Sequence, residues 1–272
     1  MPIVTLLKNM KLKQISILLL MSLSINLYAT NLYHIPESEG ERLRQDLSNA
    51  DIQVRKEALI KLQWAGISDE RVFDPIVEKL QSNRKMDPKY AKIYLAALIY
   101  SGNPKYLTFM DSLIEDNSRR SQIRNFAKKH KHKLEHYQSI SKLMNDNNNI
   151  VSSEEFWARR YEKGLRVSES VRVRLAARDL YLSGLNESSY DVAKAFLAEK
   201  YKTNIDDSYA IDAMAFLCKS LGLSRNTKYK DILVEVSNNT PNRKLAKYAE
   251  RSAQYFDRGF KSQNAVLKKK KN

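Results

Sequence analysis

A single cysteine, Cys218, permits no disulfide within the chain, so packing must supply the stability. It lies in the apolar stretch Met214 to Cys218 and reads as a buried, inert thiol. Seven glycines and six prolines in 272 residues leave little material for turn-rich architectures and suit long helices with short connections. Strand signals are nearly absent. The one candidate, Asp231 to Val236, also fits a helix. No Ser-His-Asp order, glycine-rich phosphate loop or paired metal motif occurs, which excludes the commonest hydrolytic, nucleotide-binding and zinc-site readings. His132 and His136 stand at a spacing that can hold one metal ion on a helix, but Lys128, Lys129, Lys131 and Lys133 oppose a divalent cation there. Glu154-Glu155 and Asp206-Asp207 are adjacent acids placed where helix N-termini favour negative charge. No catalytic residue, metal site or cofactor is predicted, and the chain reads as non-enzymatic.

Acids are also missing from the start of the chain, where none precedes Glu37. Lys8, Lys11 and Lys13 lead into an apolar run from Ile15 to Ala29, the layout of a secretory signal with cleavage after Ala29. Met10 offers a second start, and Leu27 at the −3 position leaves a retained anchor as the alternative. The run falls short of the roughly 20 apolar residues that span a bilayer. No cysteine follows it, so no lipoprotein anchor is expected.

What the chain does have is helical periodicity. Between Asp51 and Leu80, Ala58, Leu59, Leu62 and Ala65 form one apolar stripe. Gly66 ends that helix, Ser68 to Glu70 start the next, and Val72, Ile76, Val77 and Leu80 carry its stripe. Pro75 places the regular part of the second helix from Phe73 or Asp74. Neither stripe can be buried by the pair alone, so neighbouring pairs must stack on it. Asp51, Val54-Arg55, Ala58-Leu59, Leu62, Ala65-Gly66 and Asp69 to Val72 resemble the bacterial HEAT-like repeats, including those grouped with phycobilisome lyases. The resemblance implies an all-α fold, a right-handed α-solenoid of antiparallel helix pairs, acting as a scaffold.

Asp87-Pro88 and Asn103-Pro104 give two further helix starts, and Gly66 to Gly102 spans 36 positions. Ser152 with Glu155 reads as a capping box. Val171 to Leu185 then repeats Gln53 to Ile67 at an offset of 118, and Ala210 to Ser220 matches Ala91 to Ser101 at 119. Ile123, Phe126 and Ala127 find echoes in Leu245, Tyr248 and Ala249. The division is a signal peptide (1–29), a polar leader (30–46), a first block (47–140), a linker with a short helix (141–166), a second block (167–257) and a basic tail (258–272). Pro36 to Gly40 disfavours early helix, leaving Glu41 to Ser48 for a cap.

The formal charge is +16, and +13 without residues 1–29. Such a surplus attracts anionic partners: an acidic protein, or an envelope lipid or polysaccharide. Two groups of cations are candidates for binding. Arg119, Arg120, Arg124, Lys128, Lys129, Lys131 and Lys133 gather at the end of the first block, and Arg55 and Lys56 align with Arg172 and Arg174 across repeats. The expected function is an exported, periplasmic or secreted, interaction scaffold. The alternative, should the leader not export the chain, is a basic HEAT-like nucleic-acid-binding protein or DNA glycosylase, for which no catalytic aspartate can be mapped. A bilin-lyase-like role rests on the repeat resemblance alone. Trp64 and Trp157 read as packing anchors.

Overall fold

A computed structural model describes residues 35–145, 152–183 and 186–256. The expected signal segment, 1–29, and basic tail, 258–272, lie outside the described residues. Within them the chain is all-α, with no strand and thirteen α-helices. These are α1 (Glu37–Ser48), α2 (Ile52–Trp64), α3 (Glu70–Ser82), α4 (Pro88–Ser101), α5 (Leu107–Glu115), α6 (Ser121–His130) and α7 (Lys133–Met144). They continue as α8 (Ser153–Arg166), α9 (Ser170–Ser183), α10 (Glu187–Lys200), α11 (Ser208–Ser224), α12 (Lys230–Asn239) and α13 (Arg243–Ala253). Asp231 to Val236 is therefore helical, within α12.

The helix starts follow from side chains that replace missing backbone partners. Asp51, Asp69, Asp87 and Asp207 each accept the amide two residues ahead, and Ser152 accepts that of Glu155 at 3.1 Å. Two boundaries differ from expectation. Helix α1 begins at Glu37 rather than Glu41, because Pro36 stands outside the helix at the N-cap and Glu37 and Glu39 suit its positive end. Helix α3 begins at Glu70 and carries Pro75 inside it, since Asp69 already satisfies the first turn. The stretch expected as a linker with a short helix holds most of α7's last turn and all of α8, a full member of the second block.

Helices α2, α4 and α6 form one row, and α1, α3 and α5 back it. The second half repeats this plan, with α9, α11 and α13 in front and α8, α10 and α12 behind. The halves meet at their first pairs, where α2 packs on α9. Two contacts across the junction link residues 118 apart, the offset that relates the halves. Lys61 Nζ lies 3.4 Å from Asp179 Oδ2, and Trp157 Nε1 donates to Glu39 Oε2 at 2.8 Å. A residue that touches its own equivalent lies on a two-fold axis, so the chain forms an internal counterpart of an isologous dimer. Accordingly α2 and α9 are antiparallel: Arg172, in the first turn of α9, donates to the Trp64 carbonyl at the end of α2.

This arrangement requires the chain to travel back from α6 to the junction, and α7 does that. Its Tyr137 stacks on Tyr100 of α4 (4.3 Å), its Ser141 hydroxyl donates to the Ser101 carbonyl, and Asn145 reaches the Gly66 carbonyl. The helix ends at Gly66 and Gly102 lie directly beneath it. A Cβ on Gly102 would fall 2.4 Å from the Tyr137 carbonyl carbon, and one on Gly66 2.7 Å from the Met144 Cβ. At the junction, Trp64 stacks on Tyr161 (4.8 Å) and lies 6.0 Å from Trp157, both tryptophans essentially buried.

The duplication extends to side-chain detail. After α4, Lys105 Nζ bonds Glu70 and Asp74 while the Tyr106 hydroxyl donates to Asp74. After α11, Lys228 Nζ bonds Glu187 and Asp191 while the Tyr229 hydroxyl donates to Asp191. Each clamp follows an asparagine, Asn103 or Asn226, that caps a short 3-10 turn. The equivalent of Ser101 is thus Ser224, not the Ser220 expected at an offset of 119, because α11 is 17 residues long against 14 for α4.

Candidate functional site

The cations expected to bind do not form the two surfaces anticipated. Arg119 is buried, its Nε donating to Asp116 at 3.1 Å, so it braces the α5–α6 loop instead of facing a partner. Arg172 is fully buried, with one nitrogen on the Trp64 carbonyl and its guanidinium 5.7 and 5.4 Å from the rings of Tyr100 and Tyr137. Burial depresses its pKa, and its Nε and Nη1 have no partner. Both residues are structural. The proposed alignment of Arg55 and Lys56 with Arg172 and Arg174 also fails as one surface. The offset of 118 pairs Lys56 with Arg174 but Arg172 with Val54, and it places the two pairs on antiparallel helices.

Of the remaining candidates, Arg124 donates to Asn117, and Lys131 is paired with Asp111. Arg120, Lys128, Lys129 and Lys133 are exposed around α6, with Lys128 and Lys129 in its last turn, where cations complement the helix dipole. Arg55 donates to the Asn49 and Ala50 carbonyls, the latter at 2.8 Å. Among the described residues no group of three or more His, Cys, Asp or Glu converges on a point. His136 Nε2 instead lies 3.7 Å from Glu169, and His130 packs on the Phe126 ring. Cys218 is buried and its thiol is pushed up to about 12 by that burial.

The structure assembles a different basic surface, on α9, α11 and α13. Tyr209, Asp212, Phe216 and Lys219 follow one another along the partly exposed stripe of α11. Lys219 Nζ sits among three rings, 4.6 Å from the centre of Tyr248, 5.0 Å from Phe216 and 5.7 Å from Tyr181. Arg174 lies 5.9 and 5.8 Å from Tyr209 and Phe216. Asp212 is the one carboxylate within this group, bonded to Lys244 (2.7 Å) and Arg174 (3.2 Å), which together hold its pKa down. Arg178 lies one turn along from Arg174 and is partly exposed.

Rings held under a cation limit its rotamers without neutralising it, so less entropy is lost when an anion binds. The face therefore presents Arg174, Arg178, Lys219 and Lys244 against a single acid. Only Arg174 of these was singled out in the sequence. The readable signal was the spacing of Tyr209, Phe216 and Lys219 on the side of α11 opposite its core stripe. Tyr248 is the counterpart of Phe126 between the buried Leu245 and Ala249, and is itself only partly buried.

No family model matches the chain, and no curated protein sequence matches it. Among solved structures it is similar to human deoxyhypusine hydroxylase in complex with glycerol, at 14% identity and a TM-score of 0.32, covering 81% of this chain and 96% of that one. That protein is by its name an enzyme, so the expectation of a non-enzymatic chain is withdrawn. A likeness of this degree transfers no chemistry. The fold rests on the helix rows themselves, which are those of a HEAT-like helical repeat.

Proposed function

We propose that this chain is an exported helical-repeat scaffold that holds an anionic partner, an acidic protein or an anionic envelope component, on the face of α9, α11 and α13. The observation that supports the reading is the ring-seated Lys219, flanked by Arg174 and Lys244 around one carboxylate. Repeat proteins bind through surfaces made of equivalent helices side by side, and this face spans three of them. The export half of the proposal draws on the basic and apolar leader, and the finer kinship with phycobilisome-lyase-type repeats draws on Asp51 to Val72. No helix among the described residues is long and apolar enough to cross a membrane.

Two measurements test it. Intact mass of the native protein after fractionation of its host is expected to correspond to residues 30–272, in the envelope or the medium. Full-length protein in the cytoplasm overturns export. The mature chain is then titrated with polyglutamate and with phosphatidylglycerol vesicles. Saturable binding to either, weakening steeply with salt, is expected. Binding to neither overturns the partner class.

A further inference from the structure

A second surface, on the other half of the chain, has a different chemistry. The N-terminal turns of α2 and α4 diverge around a cleft of about 280 Å³, closed at one side by the end of α3. Its floor is apolar, with Leu59 and Met86 buried and Tyr90 and Ile93 partly open to it. Three cations, Arg55, Lys56 and Lys79, line the same cleft. The one acid is Asp87, whose carboxylate is occupied as the N-cap of α4, accepting the Lys89 amide at 2.8 Å. Arg55 is steadied by the Asn49 and Ala50 carbonyls, while Lys56 and Lys79 have no ion pair among the described residues.

We infer that this cleft binds a single-chain fatty carboxylate, tail on the floor and head group among Arg55, Lys56 and Lys79. The inference does not depend on the partner proposed for the α9–α11–α13 face. Three considerations select this occupant. Beyond their first turns the amides and carbonyls of α2 and α4 are bonded within the helices, so the apolar floor offers an extended peptide few backbone partners, and a tail without polar groups loses nothing there. The cleft of about 280 Å³ lies just below the roughly 300–1,000 Å³ of ordinary small-ligand sites, a size that suits one acyl chain. The charge of the rim then requires an anionic head. The equivalent position to Lys56 in the second half, Arg174, is instead paired with Asp212, so the duplication does not repeat the site.

The test is calorimetric titration of the mature chain with monomeric dodecanoate, below its micelle concentration, against dodecyltrimethylammonium and hexanoate. One saturable dodecanoate site is expected, at least 10-fold tighter than either comparator. The double variant Lys56→Glu/Lys79→Glu and the cleft-filling Ile93→Trp are each expected to weaken it at least 10-fold. Far-UV circular dichroism and the thermal midpoint report whether each variant is folded. Because Ile93 is partly exposed, the Trp variant tests the tail site independently of the charges. Equal affinity for both head-group charges overturns the inference, as does dodecanoate binding that neither variant changes. Displacement of dodecanoate by an acidic peptide free of acyl groups, at lower concentration than by a second fatty acid, overturns it as well.

Discussion

The Trp157 indole donates its N–H to Glu39 at 2.8 Å, and each residue holds in its own half the position the other holds in its own. The contact is buried, and Arg42 supplies the second partner of the Glu39 carboxylate at 2.6 Å. Trp157→Phe keeps the ring and removes the donor. It is expected to cost about 1–3 kcal/mol, since the buried carboxylate oxygen loses one of its two donors and keeps only Arg42. Chemical denaturation is the measurement. A double variant with Glu39→Ala should lose less than the sum of the two singles, because one interaction is removed twice.

Gly102 is needed less for its backbone angle than for what lies above it. Its φ is +64°, but its counterpart after α11 is Arg225 at +55°, so the left-handed turn itself tolerates a side chain. What differs is α7, whose backbone leaves no room for a Cβ over Gly102. Gly102→Ala should cost at least about 2 kcal/mol, the sum of left-handed strain of roughly 1–2 kcal/mol and a forced shift of α7. Faster amide exchange confined to α7 would show where the strain goes.

Arg172 is a buried charge with a hydrogen bond to the Trp64 carbonyl, a weak one to the Met144 sulfur at 3.9 Å, two ring contacts and no ion pair among the described residues. Replacing such a charge by an apolar side chain of similar length often costs little, whereas truncation leaves a cavity. Arg172→Met is expected to change stability by less than about 1 kcal/mol and Arg172→Ala to cost about 2–4 kcal/mol. Thermal and denaturant midpoints of both variants check the contrast. A structural residue should behave this way; a binding residue would lose anion affinity in both.

His130 has its pKa lowered, by burial first and then by Lys133, Lys129 and His132. The fold therefore favours the neutral ring. Its contribution to stability is fully present above the ordinary pKa of 6.5 and is lost as the pH falls through the lower folded value. NMR titration should place the His130 midpoint below 6.5. His130→Gln should remove that part of the acid-side loss, and a midpoint above 6.5 would contradict the packing of His130 on Phe126.

The helix pairs were readable because their signals are local. Asp51, Asp87 and Asp207 cap within two residues, and Ala58, Leu59 and Leu62 repeat at helical spacing. The head-to-head junction was not, because it depends on contacts such as Trp157 with Glu39, between residues no local pattern relates. Helix α7 did carry a signal, with Leu134, Tyr137, Ser141 and Met144 on one side, but the preceding run of lysines and histidines masks where it begins. The true register of the duplication was written in Ser101-Gly102-Asn103-Pro104-Lys105-Tyr106 and Ser224-Arg225-Asn226-Thr227-Lys228-Tyr229. The extra residues of α11 hid it from any constant offset. Among the cations, charge alone cannot separate Arg172, buried against two tyrosines, from Lys219, seated on rings at the surface. Both follow helical spacing, and only the packing partner differs.

The most direct test of the binding face compares two charge reversals of equal size. Lys219→Glu/Lys244→Glu changes the face of α11 and α13, and Lys128→Glu/Lys129→Glu changes the exposed end of α6 by the same four units of charge. Each is titrated with polyglutamate and with phosphatidylglycerol vesicles at two salt concentrations, alongside the unaltered chain. The face is expected to be specific: the first variant loses affinity at least 10-fold, the second less than 2-fold. Equal losses would show that net charge alone attracts the anion, and would contradict the assignment of the site to α9, α11 and α13.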